Sequence, residues 1–187
     1  MNAKWLVVVF VCIPSIVFCQ NWTEHTVVSD FTSVSCVHAA DLDGDGDTDV
    51  VAGAVYFNGL SWWENNDGHG QNWVEHNLSE LMETTDITTA DLDSDGDMDI
   101  LTASGAHGSH WWENVGGDGD SWILHPIIPP AITHSITKGH INGGGYLDVV
   151  RGRECCQLEW FDNVNGDGLA MAYNILDPDN VWTTCVR

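Results

Sequence analysis

Beyond its first twenty residues, the chain alternates apolar and polar positions in short runs and shows no sustained helical period. The β-branched run "DVVAGAV" from Asp49, the tryptophan pairs of "WWEN" at Trp62 and Trp111, and segments such as "NWVEH" from Asn72 have the length and composition of strands. Turns rich in Gly, Asn and Asp separate them, as in "ENNDGHGQ" and "ENVGGDGD". The expected secondary structure is β throughout.

These pieces recur at a spacing of about 50 residues. "NWTEH" at Asn21 returns as "NWVEH" at Asn72 and "SWILH" at Ser121, while "WWEN" at Trp62 and Trp111 becomes "WFDN" at Trp160. An aspartate-rich loop begins at Asp41 and Asp91, with a worn copy, "HINGGGYLD", at His140. Each unit thus offers four strands: a Trp-x-x-His segment, a segment leading into the loop, a β-branched run and the tryptophan pair. Repeated four-stranded units predict an all-β propeller, with blades at about 21–70, 71–120 and 121–170 and a truncated fourth over 171–187. A blade buries its faces only against neighbours, so the chain reads as part of a longer propeller whose remainder is missing.

The first twenty residues change the picture of location. Lys4 precedes an apolar run from Trp5 to Phe18 that is short for a membrane span, which predicts a secretory signal over 1–19 and a secreted, extracellular or cell-surface protein over 20–187. A lipid anchor on Cys19 is the rival, and bulky Phe18 before that cysteine disfavours it. After cleavage nothing is left to insert in a membrane. Cys36, Cys155, Cys156 and Cys185 would then lie in an oxidising compartment that permits disulfides.

Charge narrows the partners. With 28 acidic residues against 5 basic ones, the net charge of -23 repels nucleic acid and anionic membrane surfaces. It attracts cations. "DLDGDGDTD" from Asp41 and "DLDSDGDMD" from Asp91 place carboxylates at alternating positions between small residues, so that several oxygens can curl toward one centre. Such a cluster suits Ca²⁺, which takes roughly six to eight oxygen ligands at flexible distances, whereas Zn²⁺ would call for His or Cys. An EF-hand is excluded, because Ala52 and Thr102 stand where its bidentate glutamate would be and strands follow the loops.

The pattern D-x-D-G-D-G-x-x-D followed by an apolar strand, at this spacing, resembles the FG-GAP or VCBS repeat family and integrin α-type propellers. The resemblance implies calcium held by side chains at loop positions one, three, five and nine and by the backbone carbonyl at seven. Here those are Asp41, Asp43, Asp45 and Asp49 with the Asp47 carbonyl, and Asp91, Asp93, Asp95 and Asp99 with the Asp97 carbonyl. The third loop offers His140, Asn142, Gly144 and Asp148, a degenerate set expected only to turn the chain. Calcium in the first two loops is expected to serve the fold.

His25, His76 and His125 repeat at equivalent positions and so spread around a ring, which predicts packing or a strand-end hydrogen bond for each. Adjacent tryptophans of one strand point to opposite faces, so Trp62–Trp63 and Trp111–Trp112 cannot form one sugar platform; one of each pair should fill the space between blades and the other should be partly exposed. The units differ most at 54–60, 104–110 and 153–157 and at 28–34, 79–85 and 128–134, and the resemblance places these on the face opposite the calcium loops, where partners bind. In the "RGRECCQ" stretch, two arginines are expected to neutralise nearby carboxylates.

No catalytic constellation emerges. The expected function is a calcium-stabilised extracellular binding or adhesion module for a protein or glycan. The alternative is the propeller portion of a secreted carbohydrate-active lyase or dehydratase, for which His107, His110 and His134 are the available loop groups.

Overall fold

The computed structural model describes residues 23–56, 59–80, 83–154 and 157–177, and the segment 1–19 expected to be a signal, Cys155, Cys156 and Cys185 lie outside them. The described residues form twelve strands and no helix, so none crosses a membrane as a helix. In chain order β1 (Val34–Ala40), β2 (Asp49–Ala54), β3 (Leu60–Asn65) and β4 (Trp73–Ser79) make sheet 1. Sheet 2 contains β5 (Asp86–Ala90), β6 (Asp99–Ser104), β7 (Gly108–Asn114) and β8 (Trp122–Ile127), and sheet 3 contains β9 (Thr133–Gly139), β10 (Asp148–Arg153), β11 (Gln157–Asn163) and β12 (Met171–Asp177). Every pairing is antiparallel between consecutive strands, and the first strands β1, β5 and β9 adjoin one another. This is the blade arrangement of a propeller.

The sheets are phased differently from the sequence repeat. The Trp-x-x-His segment, which opens each unit in the sequence, hydrogen-bonds to the tryptophan strand before it and closes the preceding sheet, as Trp73–Ser79 does on β3. Each sheet therefore begins inside one unit and ends in the next. The segment from Met171, expected to open a fourth unit, is β12 on the outer edge of sheet 3, and 178–187 lie outside the described residues. The first copy behaves differently: residues 23–28 form no strand, because among the described residues no tryptophan strand precedes them to pair with.

Two clusters fill the spaces between sheets. Leu42, Val51, Leu60 and Trp62 meet Ile87, Ile100 and Trp112 between sheets 1 and 2, and Leu92, Leu101 and Trp111 meet Ile136, Val149 and Phe161 between sheets 2 and 3. Alternation along the strand sends the two tryptophans of a pair to opposite faces. The expectation that one of them would be partly exposed fails: Trp62, Trp63, Trp111 and Trp112 are all buried, because Trp112 packs back onto sheet 1 and Phe31 covers Trp63 edge-on with ring centroids 4.9 Å apart.

Candidate metal loops

The aspartate loops join the first and second strands of sheets 1 and 2. Gly44, Gly46 and Gly96 adopt left-handed backbone angles there, with φ of 74°, 94° and 103°, and Ser94 does so at 66°. These turns let backbone N–H groups point inward at carboxylates. Gly44 and Gly46 donate to the two oxygens of Asp41 at 2.9 and 3.0 Å, and Gly96 donates to Asp91 at 3.2 Å. The last aspartate of each loop is the anchor. Asp49 is buried, accepting from the Leu42 and Asn65 N–H groups at 2.8 and 2.9 Å, and Asp99 repeats this with Leu92 and Asn114 at 2.9 and 3.0 Å.

The loops bring together Asp41, Asp43 and Asp49 in the first and Asp91, Asp93 and Asp95 in the second, with one oxygen from each within 4.8 Å of the others. Asp45 stands outside the first group and Asp99 outside the second. The Asp47 and Asp97 side chains turn away and lie against Gly68 and Gly117 of the following turns, where a Cβ would strike their carboxylates, so these residues offer the centre only backbone. The third loop assembles no such group among the described residues: Asn142 accepts from the Gly144 N–H at 2.6 Å and donates to Asp162 at 2.6 Å, and His140 meets the Tyr146 carbonyl at 2.9 Å.

Burial disfavours the charged form of four loop carboxylates, Asp43, Asp49, Asp93 and Asp99. Burial, then the charge of Asp95, pushes Asp93 up to about 6, and burial pushes Asp99 up to about 7. Asp43 and Asp49 are raised as well, again mainly by burial. In addition, Asp91 Oδ1 is buried without a hydrogen-bond partner. An orphaned anionic oxygen is costly unless a cation or donor meets it. The residues present fit a hard divalent cation: the donors are all oxygen, and one oxygen of the second group's Asp91 lacks a partner.

Beside the loops, one asparagine ties the turn of sheet 2, and one the turn of sheet 3, to its own sheet and to the sheet before. The Asn114 amide donates across the sheet boundary to the Leu42 carbonyl at 2.7 Å and accepts from the Gly119 N–H at 3.2 Å, and Asn163 does the same toward Leu92 and Gly168 at 2.8 and 3.1 Å. Sequence reasoning did not single these residues out, although the final asparagine of "WWEN", "WWEN" and "WFDN" recurs in all three units.

Two of the three repeated histidines, His76 and His125, pack as expected. His76 stacks on Trp62 with centroids 4.2 Å apart and meets Glu64 at 3.1 Å; His125 stacks on Trp111 at 4.5 Å and meets Glu113 at 2.7 Å. His25 is exposed and lies outside any strand. Arg151 and Arg153 neutralise one carboxylate, that of buried Glu159, at 2.7 and 2.8 Å, and the Tyr173 hydroxyl donates to it at 2.7 Å. Cys36 is a free thiol, pushed up to about 11 by burial. The antiparallel order places the described residues of the variable segments 54–60, 79–85, 104–110 and 128–134 at the strand ends opposite the aspartate loops.

Residues 41–102, which span both aspartate loops, match the family model described as FG-GAP-like repeat. The match takes in about a third of the 187 residues. Among solved structures it is similar to BBS1N in a crystal of its complex with ARL6DN soaked with lead, at 17% identity and a TM-score of 0.52, over 82% of this chain and 46% of that one. A second crystal of that complex, soaked with mercury, gives 17% identity and a TM-score of 0.48 over 82% of this chain and 42% of that chain. This chain spans less than half the length of either. The likeness at 17% identity carries the propeller fold alone. No curated protein matches.

Proposed function

We propose that this FG-GAP-like chain is a calcium-stabilised propeller module of a secreted or cell-surface protein that binds an extracellular protein or glycan. The observations that carry the calcium reading are the gathering of Asp91, Asp93 and Asp95, with Asp41, Asp43 and Asp49 gathered in the same way one repeat earlier, and the buried, unpartnered Asp91 Oδ1 in the same loop. The ion would be held by these side chains, with Asp47 and Asp97 contributing backbone. Bound there, calcium supplies charge compensation rather than chemistry, and clips the hairpin between the first two strands of a blade. The binding role follows from the division of the blade: repeated groups build the scaffold and the metal edge, while the segments that differ between units gather at the opposite edge. The apolar run before the mature chain and the acidic charge support export to a calcium-rich compartment.

Calorimetric titration of the chelator-treated protein with Ca²⁺, followed by melting with and without the metal, tests the reading. Two sites and a clear rise in melting temperature are expected. A folded protein that takes up no calcium would sink it.

A further inference from the structure

The first strands of the three sheets adjoin one another and so border the axis about which the blades turn, and one of them carries a cation that its counterparts lack. Lys138 on β9 stands two residues before the loop, where Ala39 stands on β1 and Thr89 on β5. Its Nζ donates to the Thr88 hydroxyl of β5 at 2.7 Å. Among the described residues Lys138 forms no ion pair, whereas Arg151 and Arg153 both engage Glu159. A half-buried ammonium whose hydrogen-bond partner is neutral keeps its charge unmatched, in a chain whose net charge is -23.

Two cavities lie along the same strands. One, of about 630 Å³, opens at their loop end between Ala39, Ala40, Thr89, Ala90 and Lys138. The other, of about 270 Å³, lies further from the loops between His38, Asp86, Thr88 and Thr137. Lys138 of the first wall bonds to Thr88 of the second, so the two walls are continuous. Each cavity draws its lining from all three sheets. Their sizes are those of small-ligand sites, roughly 300–1,000 Å³.

The groups on these walls select the ligand. Lys138 supplies one positive charge, while Asp41, Asp91 and Asp97 at the loop end and Asp86 at the other disfavour a multiply charged group. Asp86 is itself engaged, its two oxygens accepting from the Ile87 and Ile136 N–H groups at 3.1 and 3.0 Å. A single carboxylate matches this balance. Burial, then the charge of Lys138, holds His38 below its ordinary value of 6.5, so at neutral pH the imidazole offers one donor and one acceptor. Thr88, Thr89 and Thr137 add hydroxyls, which suit a ligand that carries hydroxyls beside its acid.

We propose that this wall of β1, β5 and β9 binds an acidic saccharide, its carboxylate on the Lys138 ammonium and its ring hydroxyls on His38, Thr88, Thr89 and Thr137. The small side chains of Ala39, Ala40 and Ala90 leave room for the sugar beside the cation. The inference rests on the calcium reading in one respect: ions in the loops lower the repulsion that Asp41, Asp91 and Asp97 exert on the carboxylate.

Calorimetric titration of the calcium-loaded full chain with oligosaccharides containing glucuronate, galacturonate or mannuronate, each beside its carboxyl-reduced counterpart, is the test. Saturable binding of at least one acidic member is expected, weakened about tenfold or more by reduction of its carboxyl groups. Lys138→Gln should lose as much, Lys138→Arg should keep most of the affinity, and both should retain native circular dichroism and calcium uptake. If Lys138→Gln loses its fold, His38→Gln replaces it and should weaken binding severalfold. A folded, calcium-loaded protein that binds none of the acidic members overturns the proposal and leaves the calcium reading standing. Equal affinity for the reduced sugars, or affinity that these variants leave unchanged, also overturns it.

Discussion

The Asn114 side chain donates its amide to the carbonyl of Leu42, 2.7 Å away and 72 residues earlier, so the turn of one sheet holds the aspartate loop of the sheet before it. Asn114 is 1% exposed, and its amide also reaches the Met98 carbonyl at 3.3 Å. Asn114→Ala leaves buried carbonyls and the Gly119 N–H without a partner. A loss of about 1–3 kcal/mol in denaturant unfolding is expected, with the slope against denaturant unchanged.

Calcium binding predicts a conditional effect of mutation. Asp43→Ala combined with Asp93→Ala removes one converging carboxylate from each loop. The double variant should melt well below the parent in calcium and close to it in chelator. Equal losses in both conditions would count against the metal assignment.

Glu159 predicts a pH-dependent stability. Burial would raise this carboxyl, but hydrogen bonds from Arg153, Tyr173 and Arg151 outweigh it and hold Glu159 below its ordinary value of 4.5. A depressed carboxylate adds stability that is fully present above the ordinary value and is lost as pH falls through the folded one. Glu159→Gln leaves Arg151 charged and fully buried, so a deficit of about 3–5 kcal/mol is expected at neutral pH. Urea unfolding at a series of pH values should show the gap between parent and variant narrowing below 4.5.

Two glycines of one turn separate backbone strain from packing. Gly116 and Gly119 both adopt left-handed angles, at 96° and 69°, yet a Cβ on the first meets nothing within 4 Å while one on the second meets Trp62 at 2.6 Å. Gly116→Ala should cost about 1–2 kcal/mol from strain alone. Gly119→Ala should cost more, by roughly 1–3 kcal/mol of overpacking against the indole, and thermal melting of the pair would reveal the difference.

The four strands of each unit were legible because their signals are local: alternation, β-branched runs and Gly/Asp turns. Their grouping was not. Whether "NWVEH" opens its own blade or closes the preceding one depends on its pairing with Glu64 and Trp63, a long-range choice that no local pattern carries. The same holds for Asn114, whose final place in "WWEN" is visible but whose partner lies in another sheet. The aspartate loops were visible as loops, and the asymmetry between them was not. Both share one spacing, yet Asp49 joins the first group and Asp95 the second, a difference that spacing does not carry. One tryptophan of each pair was expected to be less covered than it is, because alternation gives a side chain its direction and not the neighbour it meets.

The offset between repeat and sheet bears on how such a chain can grow. A stretch duplicated at the 50-residue period brings with it the strand that finishes the sheet already standing, and arrives lacking the strand that would finish its own. Each new copy therefore seals its ancestor and depends on its descendant. Lengthening by whole periods never strands a three-stranded sheet in the interior of the array, wherever along the period the break occurs.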